Sequence, residues 1–556
     1  MHESTRGGHN PAVANPKHDR NLRAIARERF GYEDLFPGQE EAMHALLEGR
    51  DTLVVMPTGG GKSAIYQVPA LLIDGPTIVV SPLIALQRDQ VEGLLETGET
   101  DAAAVNSTLG DAERERLLKA FERGDLEYLL VAPEQLADPE FVARLARSRP
   151  SMFVVDEAHC ISSWGHDFRP DYLRLGGVVE ALGRPTTLAL TATAAPIVRD
   201  EIIASLGMLD PLVVVQGFDR PNIHLSVEMF ADEGAKLDAL IDAVVARNPP
   251  GIVYVATKRE AEELAGRLWT HGVEAVYYHG GMSRAEREEA QAAFMDDRFE
   301  VVVATSAFGM GIDKPNVRFV LHAEPPDSVD SLYQEIGRAG RDGEPADAVM
   351  FYRPQDLGLR RFFAAGDAVA RDVIARVARV IFEEEDVSLD ELASRTGITR
   401  RRVSAAVNVL ARAGAAVQDP GGSVRTAHGM DADAAGARAA EAEEARKKIE
   451  ESRVEMVRGY AETTSCRRRF LLTYFGEDYE APCDKCDNCE RGAAPAPDRP
   501  VGEEFTINAK VRHAKFGDGH VVRHDGDRIV VLFEDSGYKT LSASVMAESN
   551  LLEETR

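Results

Sequence analysis

Short, nearly continuous apolar runs recur through the first two thirds of the chain, each followed by a stretch of helical spacing. Thr52-Leu-Val-Val-Met56, Thr77-Ile-Val-Val-Ser81, Tyr128-Leu-Leu-Val-Ala132 and Met152-Phe-Val-Val-Asp156 form one set. Gly251-Ile-Val-Tyr-Val255, Val301-Val-Val-Ala304 and Arg318-Phe-Val-Leu-His322 form a second. A strand covered by helices on both faces has no polar face to alternate, so such runs predict buried parallel strands. Two α/β lobes are expected, over residues 20–216 and 217–365, joined near Gln216 to Asn222.

After Phe363 the pattern changes. Ser388 to Gly397 reads as a short capped helix ending at a glycine turn, and Thr399 stands where it can cap a second, Arg400 to Leu410. With a wing-like turn at Asp419-Pro-Gly-Gly422, residues 366–430 predict a winged helix-turn-helix. Residues 431–491 contain an Ala/Glu-rich helix leading into a cysteine cluster, and 492–502 read as a linker. The stretch 503–556 is strand-like, with a hairpin signal at His524-Asp-Gly-Asp527. Residues 1–19 read as a loose polar tail.

The 556 residues suffice for roughly three to five domains. No apolar run approaches the ~20 residues that span a bilayer, and the start lacks a signal-peptide apolar core. A cytoplasmic protein is expected, nucleoid-associated if bacterial, with no membrane partner. The net charge of -28 argues against a simple duplex-coating protein. It does not exclude local basic grooves, because net charge governs solubility and steering more than contact. Four of the five cysteines lie in the series Cys466-x16-Cys483-x2-Cys486-x2-Cys489. Four thiolates suit a closed tetrahedral, structural Zn2+ site.

Met56-Pro-Thr-Gly-Gly-Gly-Lys-Ser63 follows a predicted strand and precedes a helix. Thr58, Gly59, Gly60 and Gly61 can let backbone N–H groups wrap phosphates, Lys62 can reach the β/γ-phosphates, and Ser63 can ligate Mg2+. The generic pattern has glycine where Met56 stands. Asp156-Glu157 closes another strand, where Asp156 can hold Mg2+ and Glu157 can orient or deprotonate the attacking water. Arg338 and Arg341, three residues apart, suit charge stabilisation on a transferring phosphoryl group, with Arg341 the candidate finger. ATP and Mg2+ are thus the expected cofactors, alongside structural Zn2+.

Thr58-Gly-Gly-Gly-Lys-Ser63, Asp156-Glu-Ala-His-Cys-Ile-Ser-Ser-Trp-Gly-His-Asp-Phe-Arg-Pro170, Thr191-Ala-Thr-Ala194, Ala307-Phe-Gly-Met-Gly-Ile-Asp-Lys-Pro315 and Gln334-Glu-Ile-Gly-Arg-Ala-Gly-Arg341 together resemble the RecQ helicases. The resemblance covers roughly residues 20–365 and the cysteine region. It implies an α/β chain with two RecA-like parallel-sheet lobes, followed here by the winged helix, a helical zinc-binding region and a small C-terminal β-barrel. It also implies ATP-dependent 3′→5′ translocation and DNA unwinding in repair and recombination. Single-stranded and duplex DNA are the expected partners. In relatives the aromatic-rich loop couples strand binding to hydrolysis, a role that carries to Trp164, His166, Phe168 and Arg169. Rings at 164 and 168 offer faces for unstacked bases, though they could instead be core aromatics. Gln334 joins the nucleotide contacts.

Two departures stand out. Relatives read Phe-Arg-Pro-Gly-Gln where this chain has Leu35-Phe-Pro-Gly-Gln39, so Gln39 can read the adenine edge while Phe36 replaces a stacking arginine. The winged-helix pattern precedes the cysteines instead of following them, and its Arg400, Arg401 and Arg402 could contact duplex DNA. Arg467, Arg468 and Arg469 could touch phosphates or form a solvated helix face. Residues 503–556 resemble the Tudor/SH3-like barrel that ends UvrD/PcrA helicases, a docking module for a protein partner or an extra stabilising element. The competing classes are a DEAD/DEAH RNA helicase, and a nucleic-acid adaptor with a vestigial ATPase.

Overall fold

The computed structural model describes residues 16–555 apart from 58, 83, 97–100, 107–108, 163–167, 310–313, 367–368, 385, 419–422, 428–430, 478, 493–504, 526–527, 535 and 550. A first helix, Pro16–Phe30, begins ahead of Arg20.

The first lobe holds β1 (Thr52–Val55), β2 (Thr77–Val80), β3 (Ala102–Val105), β4 (Tyr128–Val131), β5 (Met152–Val155), β6 (Thr186–Thr191) and β7 (Leu212–Val215), all parallel, in the order β3-β4-β2-β5-β6-β1-β7. β1, β2, β4 and β5 are buried at every position, as their unbroken apolar runs require. The second lobe contains β8 (Ile223–Met229), β9 (Gly251–Tyr254), β10 (Ala275–Tyr278), β11 (Val301–Ala304), β12 (Phe319–His322) and β13 (Ala346–Tyr352). Its parallel order is β10-β11-β9-β12-β13-β8. In both lobes the loops at the carboxyl ends of the strands carry the motifs, where open parallel sheets place their ligands.

Helices Arg371–Glu383, Leu389–Thr396 and Arg400–Arg412 pack with β14 (Val387–Ser388), β15 (Ala416–Gln418) and β16 (Ser423–Thr426), paired β14-β16-β15, in a winged-helix arrangement. Ser388 and Glu391 form a capping box and Gly397 ends the first of the two predicted helices at φ 65°, a left-handed position that favours glycine. Thr399 precedes the second helix but its side chain makes no capping bond. Val403, Ala406, Val407 and Leu410 share the buried face, which leaves Arg400 to Arg402 exposed. The expected wing turn 419–422 lies outside the described residues.

Helix Ala432–Glu462, capped by Asp431, ties this module to the motor. Its Ala435 and Ala439 join the winged-helix core, while Ile449, Met456, Val457 and Tyr460 join the core of the lobes. Close approach is required at Gly436, where a Cβ would lie 3.2 Å from Ala375 Cα. The C-terminal stretch forms β17 (Lys510–His513), β18 (Gly517–Asp525), β19 (Arg528–Phe533), β20 (Gly537–Ser542) and β21 (Leu552–Glu554). They make an antiparallel sheet in the order β20-β19-β18-β17-β21, and β18 and β19 are the two arms of the expected hairpin.

Candidate ATP site, strand-binding loop and metal centre

The loop after β1 turns through Gly59 and Gly61 at φ 83° and 69°, conformations that cost an L side chain strain. A Cβ at Gly61 would also meet Gln39 Nε2 at 2.5 Å. Gln39 is buried and clasps this loop: its Nε2 donates to the Gly60 and Gly61 carbonyls at 3.0 Å each, and its Oε1 accepts from Phe36 N at 2.9 Å. Phe36 stands 59% exposed beside it. Lys62 Nζ donates to the carbonyls of Met56 (3.1 Å) and Pro57 (3.3 Å), and burial lowers its pKa despite Glu157 and Asp156 nearby. Thr58 lies outside the described residues.

Asp156 is buried at the end of β5, and that burial raises its pKa against the pull of Lys62. Its Oδ2 accepts from Gln90 Nε2 at 3.1 Å and its Oδ1 from Glu157 N at 2.9 Å. Glu157 itself is left-handed (φ 48°, ψ 45°), a sparsely populated conformation of the kind that clusters at functional sites. Its Oε2 lies 3.3 Å from His159 Nδ1, which also meets Thr191 Oγ1 at 2.9 Å. Thr191 Oγ1 donates to the Thr193 carbonyl, and Gln334 Nε2 of the second lobe donates to Thr193 Oγ1 at 3.3 Å. A polar chain therefore runs from the acidic motif to the helix Val329–Ile336 of the other lobe. No local pattern marks Gln90 for its bond to Asp156, whereas Thr191-Ala-Thr193 at the end of an apolar strand is a sequence signal for the partner of His159.

Arg341 reaches the same cleft. A Cβ at Gly59 would lie 3.8 Å from Arg341 Cδ, so the arginine packs on the phosphate-binding loop from the opposite lobe. Arg338 is set deeper: it is buried, with Nη2 within 3.4 Å of a Cβ built at Gly309. The residues fit ATP with Mg2+: a glycine turn, a lysine, a hydroxyl at Ser63 and a buried carboxylate converge.

Trp164 and His166 lie outside the described residues. Phe168 and Arg169 are half-buried. Arg169 Nη1 donates to the Pro82 carbonyl at 3.0 Å, and Arg412 of the winged helix sits over the Phe168 ring at 5.9 Å, a cation–π contact the sequence did not suggest. Arg400 is exposed and pairs with Asp390 at 3.2 Å, and Arg401 is exposed beside it.

The four cysteine sulfurs lie within 4.8 Å of one another. Cys466 precedes the helix Arg467–Tyr474; Cys486 precedes a second short helix, Asp487–Glu490, and Cys489 lies within it. This all-thiolate set fits a closed structural Zn2+. The arginines after Cys466 correct the expectation of a solvated helix face, because the first two are buried in ion pairs. Arg467 is buried on Asp487 (2.5 and 3.1 Å), and Arg468 on Asp219 (2.6 Å) and the Ile223 carbonyl (2.7 Å). They bolt the metal centre to itself and to the segment between the lobes. Leu225 N donates to the Lys485 carbonyl, so the cysteine loop also extends the edge of the second-lobe sheet.

Two RecA-like sheets, with a glycine-rich lysine loop on one and an arginine reaching it from the other, have the build of a helicase motor. The comparisons agree. Family models match for DEAD/DEAH box helicase over residues 36–201, helicase conserved C-terminal domain over 235–343 and RecQ zinc-binding over 424–490. The probable ATP-dependent DNA helicase RecS of Bacillus subtilis is 35% identical over 469 residues, 83% of this chain and 90% of that protein. The ATP-dependent DNA helicase RecQ of Pasteurella multocida is 36% identical over 83% of this chain, which spans 61% of its length, and that of Bacillus subtilis is 45% identical over 60%, spanning 56%. Among solved structures, the DUF1998 helicase MrfA bound to DNA aligns at TM-score 0.52 and 17% identity, covering 76% of this chain and 60% of that one, a likeness of fold. The chain belongs to the RecQ family of ATP-dependent DNA helicases. Among the described residues no helix is long and apolar enough to cross a membrane.

Proposed function

We propose that the chain hydrolyses ATP between its two lobes to move 3′→5′ along one DNA strand and unwind duplex, in repair or recombination, in the cytoplasm. The observation that carries this reading is Arg341 packed on Gly59 across the cleft, beside half-buried Lys62 and buried Asp156. When bound, Mg2+ would be held by Ser63 and Asp156 and would neutralise phosphate charge. Lys62 binds the β/γ-phosphates, Glu157 orients the water and takes its proton, and Arg341 offsets charge on the transferring phosphoryl group, with Arg338 behind it. Phe36 stacks on the base, and Gln39 senses it while holding the loop.

Trp164, His166, Phe168 and Arg169 engage the single strand, and Arg400 and Arg401 the duplex. The continuity of this loop with Asp156 and Glu157 supports coupling of strand binding to hydrolysis. The C-terminal sheet would close as a Tudor/SH3-like barrel that receives a protein partner. Strand displacement on 3′-tailed, 5′-tailed and forked duplexes tests the motor. Unwinding of the 3′-tailed duplex with ATP, lost in Lys62→Ala while strand binding persists, is expected. Equal action on both tails would remove the polarity, and no action the helicase.

A further inference from the structure

The C-terminal sheet is held against the motor by specific polar contacts, and these end on the two helices that flank the cross-lobe contact of Gln334 with Thr193. On the second-lobe side, Tyr538 OH donates to Tyr474 OH at 2.8 Å, and Tyr474 OH donates to Asp330 Oδ2 at 2.5 Å. All three side chains are buried. Asp330 lies on the helix Val329–Ile336 one turn before Gln334, on the same face, and that helix leads directly into Arg338 and Arg341. On the first-lobe side, Lys510 Nζ lies 2.7 Å and His520 Nε2 3.5 Å from Asp200 Oδ2. These partners hold the Asp200 carboxyl down at about 2. Asp200 belongs to the helix Pro196–Leu206, which begins three residues after Thr193.

The seat of this sheet is built, not incidental. Tyr538 N donates to Ser452 Oγ at 3.1 Å, and a Cβ at Gly537 would collide with that oxygen. Arg523 lies over the Phe470 ring at 4.1 Å, and Asn508 Nδ2 donates to the Gly476 carbonyl at 3.0 Å. Phe475, next to Tyr474, stacks on Phe218 between the lobes at 4.8 Å and accepts from Arg199 Nη2 through its carbonyl at 2.5 Å. Tyr474 and Phe475 thus touch both lobes, and Tyr538 fixes them from outside.

We propose that the C-terminal sheet is a brace of the motor, in which Tyr538 and Lys510 act as positioning residues that set the arginine-finger arm against the acidic motif. This rests on the reading of the cleft as the site of ATP hydrolysis. A brace acts on the geometry of the closed cleft and not on nucleotide contacts, so its loss falls on kcat and leaves KM in place.

The test is ATPase measured on the full chain against ATP and against oligo-dT. Tyr538→Phe keeps the ring and removes one buried hydrogen bond; it is expected to lower the oligo-dT-stimulated kcat about two- to tenfold, with KM for ATP within about twofold. Lys510→Asp alters an exposed position where folding is not at risk, and is expected to lower kcat about two- to fivefold. Adding Asp200→Lys to it restores the ion pair in reverse and should recover that loss. Unchanged kcat in both single variants, beside a stimulated parent, overturns the brace alone, as does failure of the charge swap to recover activity. A parent without oligo-dT stimulation removes the underlying function and the brace with it.

Discussion

Phe36 presents an exposed ring one turn before the clasp that Gln39 makes on the phosphate loop. Stacking by such a ring contributes about 0.5–1.5 kcal/mol, so Phe36→Ala should raise KM for ATP about two- to tenfold with kcat nearly constant, read by steady-state ATPase. A drop in kcat at unchanged KM would place the ring elsewhere in the cycle. At this scale much of the site was legible. Lys62, Asp156 and Glu157 stand in motifs whose spacing states their chemistry, and the structure gathers them at the carboxyl ends of β1 and β5. What the motif did not show is how Gln39 uses its amide. Adenine reading is expected of it, and in the structure its amide is already turned to backbone, Nε2 on the loop carbonyls and Oε1 on Phe36 N, which leaves one Oε1 lone pair for a base edge. Such a bond depends on where two distant segments fold, and no local pattern encodes it. Arg467 and Arg468 failed for the same reason: a run of arginines reads as a charged face until Asp487 and Asp219 are brought beneath it.

Among elements, the four strongest strands of the first lobe were readable from β-branched apolar runs, whereas β3 was not, since Ala102-Ala-Ala-Val105 carries almost no strand propensity. Its place is set by pairing with β4 alone. The winged helix was legible through Ser388, Gly397 and the helix after Thr399, but its contact with Phe168 through Arg412 is tertiary. The cysteine element depends on both metal and ion pair. Arg467 and Asp487 are almost fully buried, so Arg467→Ala leaves the carboxylate with only the exposed Arg491 at 3.7 Å and two backbone N–H donors, and should destabilise the element by at most about 3–5 kcal/mol. Zinc content by metal analysis and the melting temperature should fall together in that variant. Chelation of the unsubstituted protein should produce a similar loss, because four clustered thiolates repel one another without a cation and must take up protons. Full zinc retention with an unchanged melting temperature in Arg467→Ala would show that the metal alone holds the fold.

For the molecule as a whole, the decisive contact joins two lobes that the sequence could list but not dock. Arg341 lies on the second lobe and Gly59 on the first, joined by the segment from Gln216 to Asn222, which Arg468 grips at Asp219 and, just beyond it, at the Ile223 carbonyl that opens β8. On the role proposed for Arg341, a guanidinium from the opposite lobe stabilises charge only when the cleft is closed, which would make hydrolysis and lobe closure one event. Arg341→Ala removes that charge while leaving Lys62, Ser63 and Asp156 to bind the nucleotide. It is therefore expected to lower oligo-dT-stimulated kcat about 10³-fold, near the low end for arginine fingers, with nucleotide affinity by equilibrium titration within a few-fold of the parent. Arg341→Lys should recover little, because an ammonium cannot reproduce the planar fork. Strand displacement should fail in step with hydrolysis in both variants. If Arg341→Ala instead weakened nucleotide binding and kept kcat, the arginine would be a binding group in the open cleft, and closure would have to draw its catalytic charge from Arg338, which lies buried behind it.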